Sequence, residues 1–200
     1  MFAVIFEVQP KSDRWDQYLD LAKQLRPELE RIDGFIENER FRSRRTEGRL
    51  LSLSIWADEK AVIRWRTHAM HHGVQEKGRF EVFEDYHLRV GELIADTGLP
   101  PDQRLLQQRF DTTSVGAAKL VTLSEGDPQV TGQTGVLDAE VYESIATPGK
   151  LLHLVSWGDA AAVEAWRAPA TGRHRQVRVI RDYGMADRRE APQFYPDVPR

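Results

Sequence analysis

His68, His71 and His72 fall within the run RTHAMHHGVQ, directly after Trp65. An imidazole titrates near neutrality, so one of these rings could take a substrate's proton or hydrogen-bond the anion left behind. If one helix continues through the run, Trp65, His68, Ala69 and His72 share a face, which sets His68 and His72 beside the indole. The indole offers apolar area and an N–H donor, suited to the wall of a pocket for an aromatic molecule. The blander readings are a core tryptophan and a solvated helix end whose histidines favour the helix dipole. A histidine pair at i and i+4 can bind a metal. Zinc takes three or four ligands, however, and no acidic third ligand lies nearby in sequence, so no metal site is expected.

The second candidate group is cationic. Arg40, Arg42 and Arg44 alternate along one stretch, with Arg45 and Arg49 close by. On a strand the first three project from one face. They either protect a strand edge by charge or ring a pocket and hold an oxyanion, with Arg40 and Arg42 the substrate-binding candidates.

The elements that must position these residues recur within the chain. GRLLSLSIWADEKAVIRWR at 48–66 returns without a gap as GKLLHLVSWGDAAAVEAWR at 149–167, an offset of 101 positions. Such self-similarity defines two copies of one unit. Trp166 is therefore the counterpart of Trp65, and His174 falls one residue past the counterpart of His72. Both join the candidates as substrate-binding residues. Arg66 and Arg167 recur too, which suggests structural ion pairing. Trp56 and Trp157 precede the helix-capping Asp58 and Asp159 and read as structural.

The first unit reads β-α-β-β-α-β. Phe2 to Val8 is a strand, and Ser12 or Asp13 can cap the helix after it. That helix carries Trp15, Leu19, Ala22, Leu25, Leu29 and Ile32 at spacings of three and four, with a kink or split expected at Pro27. Strands follow at Phe35 to Arg45 and Leu50 to Trp56, then the helix capped by Asp58, then a strand from Phe80 to Val90. In the second unit only the short Gly/Pro/Asp stretch 124–134 separates the first two strands, so the first helix is expected to be missing. Pro169 interrupts the segment after Trp166. The division is 1–95 for the first unit, 96–116 for a linker, and 117–200 for the degenerate second unit, whose proline-bearing tail is expected to lie extended on the surface. The fold class is α+β: two ferredoxin-like units packed sheet to sheet, an intramolecular pseudo-dimer with a barrel-like core. Whether it pairs again as a homodimer stays open.

Composition narrows the function classes. The 200 residues include no cysteine, which removes disulfides, thiolate metal sites and cysteine nucleophiles. The net charge of −3 gives no case for nucleic acid, and no apolar run approaches the length of a membrane span. With no signal-peptide pattern at the start, the chain reads as soluble and cytoplasmic. Phosphate-binding glycine loops, dinucleotide fingerprints and Gly-x-Ser-x-Gly elbows are absent from the sequence.

The succession FAVIFEVQP, IDGFI, GRLLSLSIWADEKAVIRWR and FEDYHLRV resembles the antibiotic biosynthesis monooxygenase family, dimeric α/β-barrel proteins with a ferredoxin-like protomer. The resemblance covers nearly all of 1–95 and, in the second unit, mainly 135–192. It implies an oxidoreductase that reacts an electron-rich aromatic or polyketide-like substrate with O2 without a cofactor; for that reaction the residues themselves offer His68, His71, His72 and Trp65 as the catalytic candidates. The alternative it implies is heme binding with oxidative ring opening. That activity uses an Asn on the first strand, a Trp on the second helix and a His shortly after. Trp65 matches the Trp, but Val4 or Phe6 stands at the Asn position and Gln75 near the His position, leaving His71 or His72 as substitute ligands. A third reading is a non-catalytic small-ligand-binding module.

Overall fold

Alternating apolar residues put Phe2, Val4, Phe6 and Val8 on one face of the first strand and Ala3, Ile5 and Glu7 on the other, and each face meets its own core. The computed structural model describes residues 1–126, 134–166 and 171–195. In chain order the elements are β1 (Phe2–Pro10), α1 (Trp15–Glu30), β2 (Phe35–Ser43), β3 (Leu50–Trp56), α2 (Glu59–Thr67), α3 (Ala69–Lys77), a π-helical turn (Gly78–Val82), β4 (Phe83–Asp96), β5 (Leu120–Glu125), β6 (Val136–Ser144), β7 (Leu151–Trp157), α4 (Ala160–Ala165) and β8 (His174–Gly184). The result is an α+β fold in which antiparallel strands close into one barrel, β1-β3-β2-β6-β7-β5-β8-β4.

The two halves meet at strand edges rather than as separate layers. β2 pairs with β6 through Phe41–Ser43, and β4 pairs with β8 along His87–Asp96. Open edges would leave rows of backbone groups unpaired, and closure removes them. Ile5, Phe41, Leu53, Leu123, Leu154 and Val179 fill the interior. Glu7 also points inward and is buried. Its carboxylate accepts from Arg89 and, at 2.7 Å, from the Tyr142 hydroxyl. Arg89 Nη1 reaches Ser156 Oγ at 2.6 Å, so one buried network ties β1 and β4 to β6 and β7.

Local expectations were met in some places and corrected in others. Asp58 and Asp159 both cap as the sequence suggests, each accepting from the backbone N–H three residues on, at 2.8 Å. Gly34 and Gly135 open β2 and β6 with φ of +86°, and a Cβ at either would strike that of Ala61 or Ala162. By contrast, α1 runs unbroken through Pro27 and starts after Arg14 with no side-chain cap from Ser12 or Asp13. The fourth strand starts at Phe83, not Phe80, and continues to Asp96 because β8 offers it a full-length partner.

The helix through the histidines breaks at His68, whose extended backbone (ψ 129°) separates α2 from α3. The C-terminal segment does not lie free on the surface. Gln193 Nε2 donates to the Arg66 carbonyl at 3.4 Å, and Tyr195 stacks on His72, pinning the segment across α3. The stretch 127–133, where the second unit's helix is expected to be missing, lies outside the described residues, as do Arg167 and Pro169. No helix among the described residues is long and apolar enough to cross a membrane.

Candidate active site

The outer faces of β2, β3, β1, β4 and β8 form the floor of a cavity of about 190 Å³. Helices α1, α2 and α3 roof it, and the C-terminal segment through Pro192, Gln193 and Tyr195 closes one side. Apolar side chains dominate: Val4, Phe6, Leu88 and Val90 from below, Leu25, Leu29 and Val62 from above. The amphipathic stripes of α1 and α2 account for the roof, since the face that would otherwise bury on the sheet stops short of it.

Trp65 and His71 line this cavity together. Their rings stack with centroids 4.1 Å apart and planes 13° from parallel. The helix break at His68 makes this possible. The Trp65 carbonyl, orphaned at the end of α2, accepts from the His68 N–H at 3.2 Å, and His71 Nδ1 lies 2.9 Å from the same oxygen. A carbonyl can only accept, so Nδ1 carries the proton and Nε2 keeps its lone pair. Burial lowers the His71 pKa to about 4, against the opposing pull of the Trp65 carbonyl. The ring is thus neutral at physiological pH, oriented by one hydrogen bond and able to accept a proton at Nε2.

The other sequence candidates scatter. His68 stacks more distantly on Trp65, at 5.9 Å, and sits 3.9 Å from Glu28, outside the cavity. His72 turns to the Tyr195 hydroxyl, 3.3 Å away. The break at His68 is the reason that His71, not His68 and His72, accompanies the indole inside the cavity. Arg40 is in the cavity wall beside Tyr18, whereas Arg42 is exposed on the same strand and does not reach it. Trp166 caps α4 and packs against Trp157 and His174 at 5.6 and 5.2 Å, away from the cavity. His174 begins β8, is buried, and pairs with Ser124 Oγ at 2.8 Å, so it is no helical counterpart of His72.

Sequence reasoning missed the cationic side of the cavity. Arg66 comes from α2, Arg181 and Tyr183 from β8, and Arg188 from the C-terminal segment. Arg66 was expected to form an ion pair, yet among the described residues no carboxylate partners it or Arg181. Among the described residues the one acidic side chain in the lining, Glu59, already accepts from Arg109 at 2.7 Å. Arg188 donates to Tyr86, Gly184 and Gln193 and lies over the Tyr183 ring. The missed signal was the density of Arg and Tyr in RDYGMADRRE, whose Arg181, Tyr183 and Arg188 line the cavity. No cluster of three or more potential metal ligands exists among the described residues.

Known proteins supply an independent comparison. The family model for antibiotic biosynthesis monooxygenase matches residues 1–77 and 117–174. A protein of Pyricularia oryzae named Jasmonate monooxygenase ABM is 44% identical over 98% of this chain and 99% of its own length. The uncharacterized protein YqjZ of Bacillus subtilis is 32% identical over 46% of this chain and 78% of its own. Among solved structures, an aldoxime dehydratase crystallised with butyraldoxime superposes with a TM-score of 0.58 over 93% of this chain and 80% of that one, at 10% identity. At that identity the likeness is one of fold alone.

Proposed function

Because the chain belongs to the antibiotic biosynthesis monooxygenase family and is a monooxygenase, we propose that it oxygenates a small, electron-rich aromatic or polyketide-like molecule with O2, and that the substrate itself supplies the electrons. The observation that carries this reading is the neutral, tautomer-fixed His71 stacked on Trp65 inside an apolar cavity. A base this weak removes only an acidic proton, such as that of a phenol or enol, or of a methylene activated on both sides by carbonyl or aryl groups. The arginines of the wall stabilise the resulting anion, and the apolar surroundings strengthen that attraction. For an activated methylene, His71 Nε2 takes the first proton and the carbanion passes an electron to O2. The radical pair then combines to a peroxide, which regains a proton from His71. Loss of water from the peroxide takes the second hydrogen from the same carbon. One oxygen atom ends in the new carbonyl and one in water, so no external reductant is needed.

A jasmonate-like molecule, from the name of the Pyricularia oryzae relative, is the first substrate to test beside phenols and aromatic ketones. Size supports a modest ligand: a dry cavity of about 150 Å³ takes benzene, so this one holds about one or two rings. Heme is the competing reading, because His71 Nε2 has the support that metal-bound histidines commonly show. A porphyrin macrocycle exceeds the cavity, so the residues present fit it poorly. Hemin titration separates the two readings. The cofactor-free one expects no Soret shift, and a shift that disappears in His71→Ala would replace it.

We read the barrel as a pseudo-dimer of ferredoxin-like units at 1–95 and 117–200, joined by 96–116. Support comes from the matching strand orders β4-β1-β3-β2 and β8-β5-β7-β6, and from the recurring caps and glycines. The first unit, with its full set of helices, holds the working cavity.

A further inference from the structure

We propose that Arg66 and Arg181, backed by the charge of Arg188, hold a carboxylate of the substrate, so that the monooxygenase acts on small apolar carboxylic acids. The inference rests on the reading that this cavity is the reaction site and adds the functional group that anchors the ligand there.

The argument starts from a break in strand register. Val90 pairs with Arg181 and the adjacent Gly91 with Val179, so Ile180 is an extra residue in β8. Strict alternation would send Val179 inward, Ile180 outward and Arg181 inward. With the bulge, Val179 stays in the barrel core, Ile180 joins the outer cluster with Val90, and Arg181 turns outward into the cavity wall. Bulges re-aim side chains in this manner next to functional sites. The barrel gains nothing from an outward arginine here, since no carboxylate among the described residues meets it.

Arg66 reaches the same end of the cavity from α2, and its Nε is buried without a hydrogen-bond partner. Arg66, Arg181 and Arg188 all lie close enough to act on the Tyr183 phenol, which burial pushes up to about 12 against their pull. Arg188 already donates to Tyr86 and Gln193, which leaves Arg66 and Arg181 as the available forks. Guanidinium groups match a carboxylate in shape and bind it through paired, charge-assisted hydrogen bonds. A neutral ligand would fill the apolar cavity and leave two cations without a counter-ion among the described residues, whereas an acid neutralises them.

The rest of the cavity says what the acid carries. From β8 the floor runs across β4, β1 and β3 to β2, four strand spacings or about 19 Å along the sheet. Val4, Phe6, Leu88, Leu25 and Leu29 line the middle, so the body of the ligand is apolar and lies beneath α1. Trp65 precedes Arg66 in α2 and His71 stacks on Trp65, which brings the reacting carbon near the acid end.

Binding is the cleanest test because it does not depend on turnover. Jasmonate and methyl jasmonate, then phenylacetate and methyl phenylacetate, are titrated against the full-length protein by calorimetry and tryptophan fluorescence. The expected result is that each acid binds at least about tenfold tighter than its ester, as loss of a charge-assisted pair implies. That preference should collapse in Arg181→Gln and Arg66→Gln and persist in Arg44→Gln, an exposed arginine outside the cavity. Equal binding of acid and ester in both pairs overturns the proposal. So does an Arg181→Gln variant that weakens acid and ester alike. His71→Ala distinguishes the two levels: it should lose turnover and keep the acid preference. A wild type that prefers acids but oxygenates none would leave the anchor standing and remove the proposed chemistry.

Discussion

At the scale of single residues the account turns on one hydrogen bond. The Trp65 carbonyl fixes the His71 tautomer, and burial holds the ring neutral with a pKa of about 4. The sign of the pH dependence follows. A base with that pKa is active above it, so kcat/KM should stay level from neutrality to about pH 5 and fall only as the pH nears 4. An unperturbed histidine would lose activity about two pH units earlier. A pH–rate profile with its acid limb near 6.5 would show that His71 is not the group titrating. Of the residues that line the cavity, Trp65, His71 and Arg40 had been singled out from residue type and spacing. Which histidine enters the cavity was not legible, because a helix break at His68 depends on how α3 packs against α1 and the π-helical turn rather than on any local breaker.

At the scale of elements, caps were easier to read than joints. Asp58 and Asp159 recur with the repeat and cap α2 and α4. Losing such a cap costs about 1 kcal/mol, so Asp58→Ala should lower Tm by about 2–4 °C in a thermal melt. No change in Tm would mean that tertiary packing alone fixes the start of α2. The bulge in β8 carried no sequence signal, since Val179, Ile180 and Arg181 read as ordinary strand residues. What holds the C-terminal segment was not legible for a related reason, since the partners of Gln193 and Tyr195 lie more than a hundred residues earlier in the chain.

At the scale of the molecule, the internal repeat made the α+β class and the barrel-like core legible before any coordinates. Closure through the β2–β6 and β4–β8 edges was not, because the sequence does not say which edges meet. The buried Glu7–Arg89 pair belongs to this scale, since Tyr142 and Ser156 bring it partners from the second half. Removing one member leaves an uncompensated charge in the barrel. Arg89→Met is therefore expected to cost about 3–5 kcal/mol in urea unfolding. Replacing Glu7 by Gln in the same chain should recover much of that loss. Additive losses in the double variant would show that the two side chains do not act as a pair.

The most direct test of the central claim is incorporation of isotopically labelled O2 by metal-free, hemin-free protein, comparing wild type with His71→Ala. The account predicts one labelled oxygen per product in the wild type. In the variant the rate should fall by about 100-fold or more, with the fold intact by circular dichroism. Equal rates of label incorporation in the two proteins would contradict it.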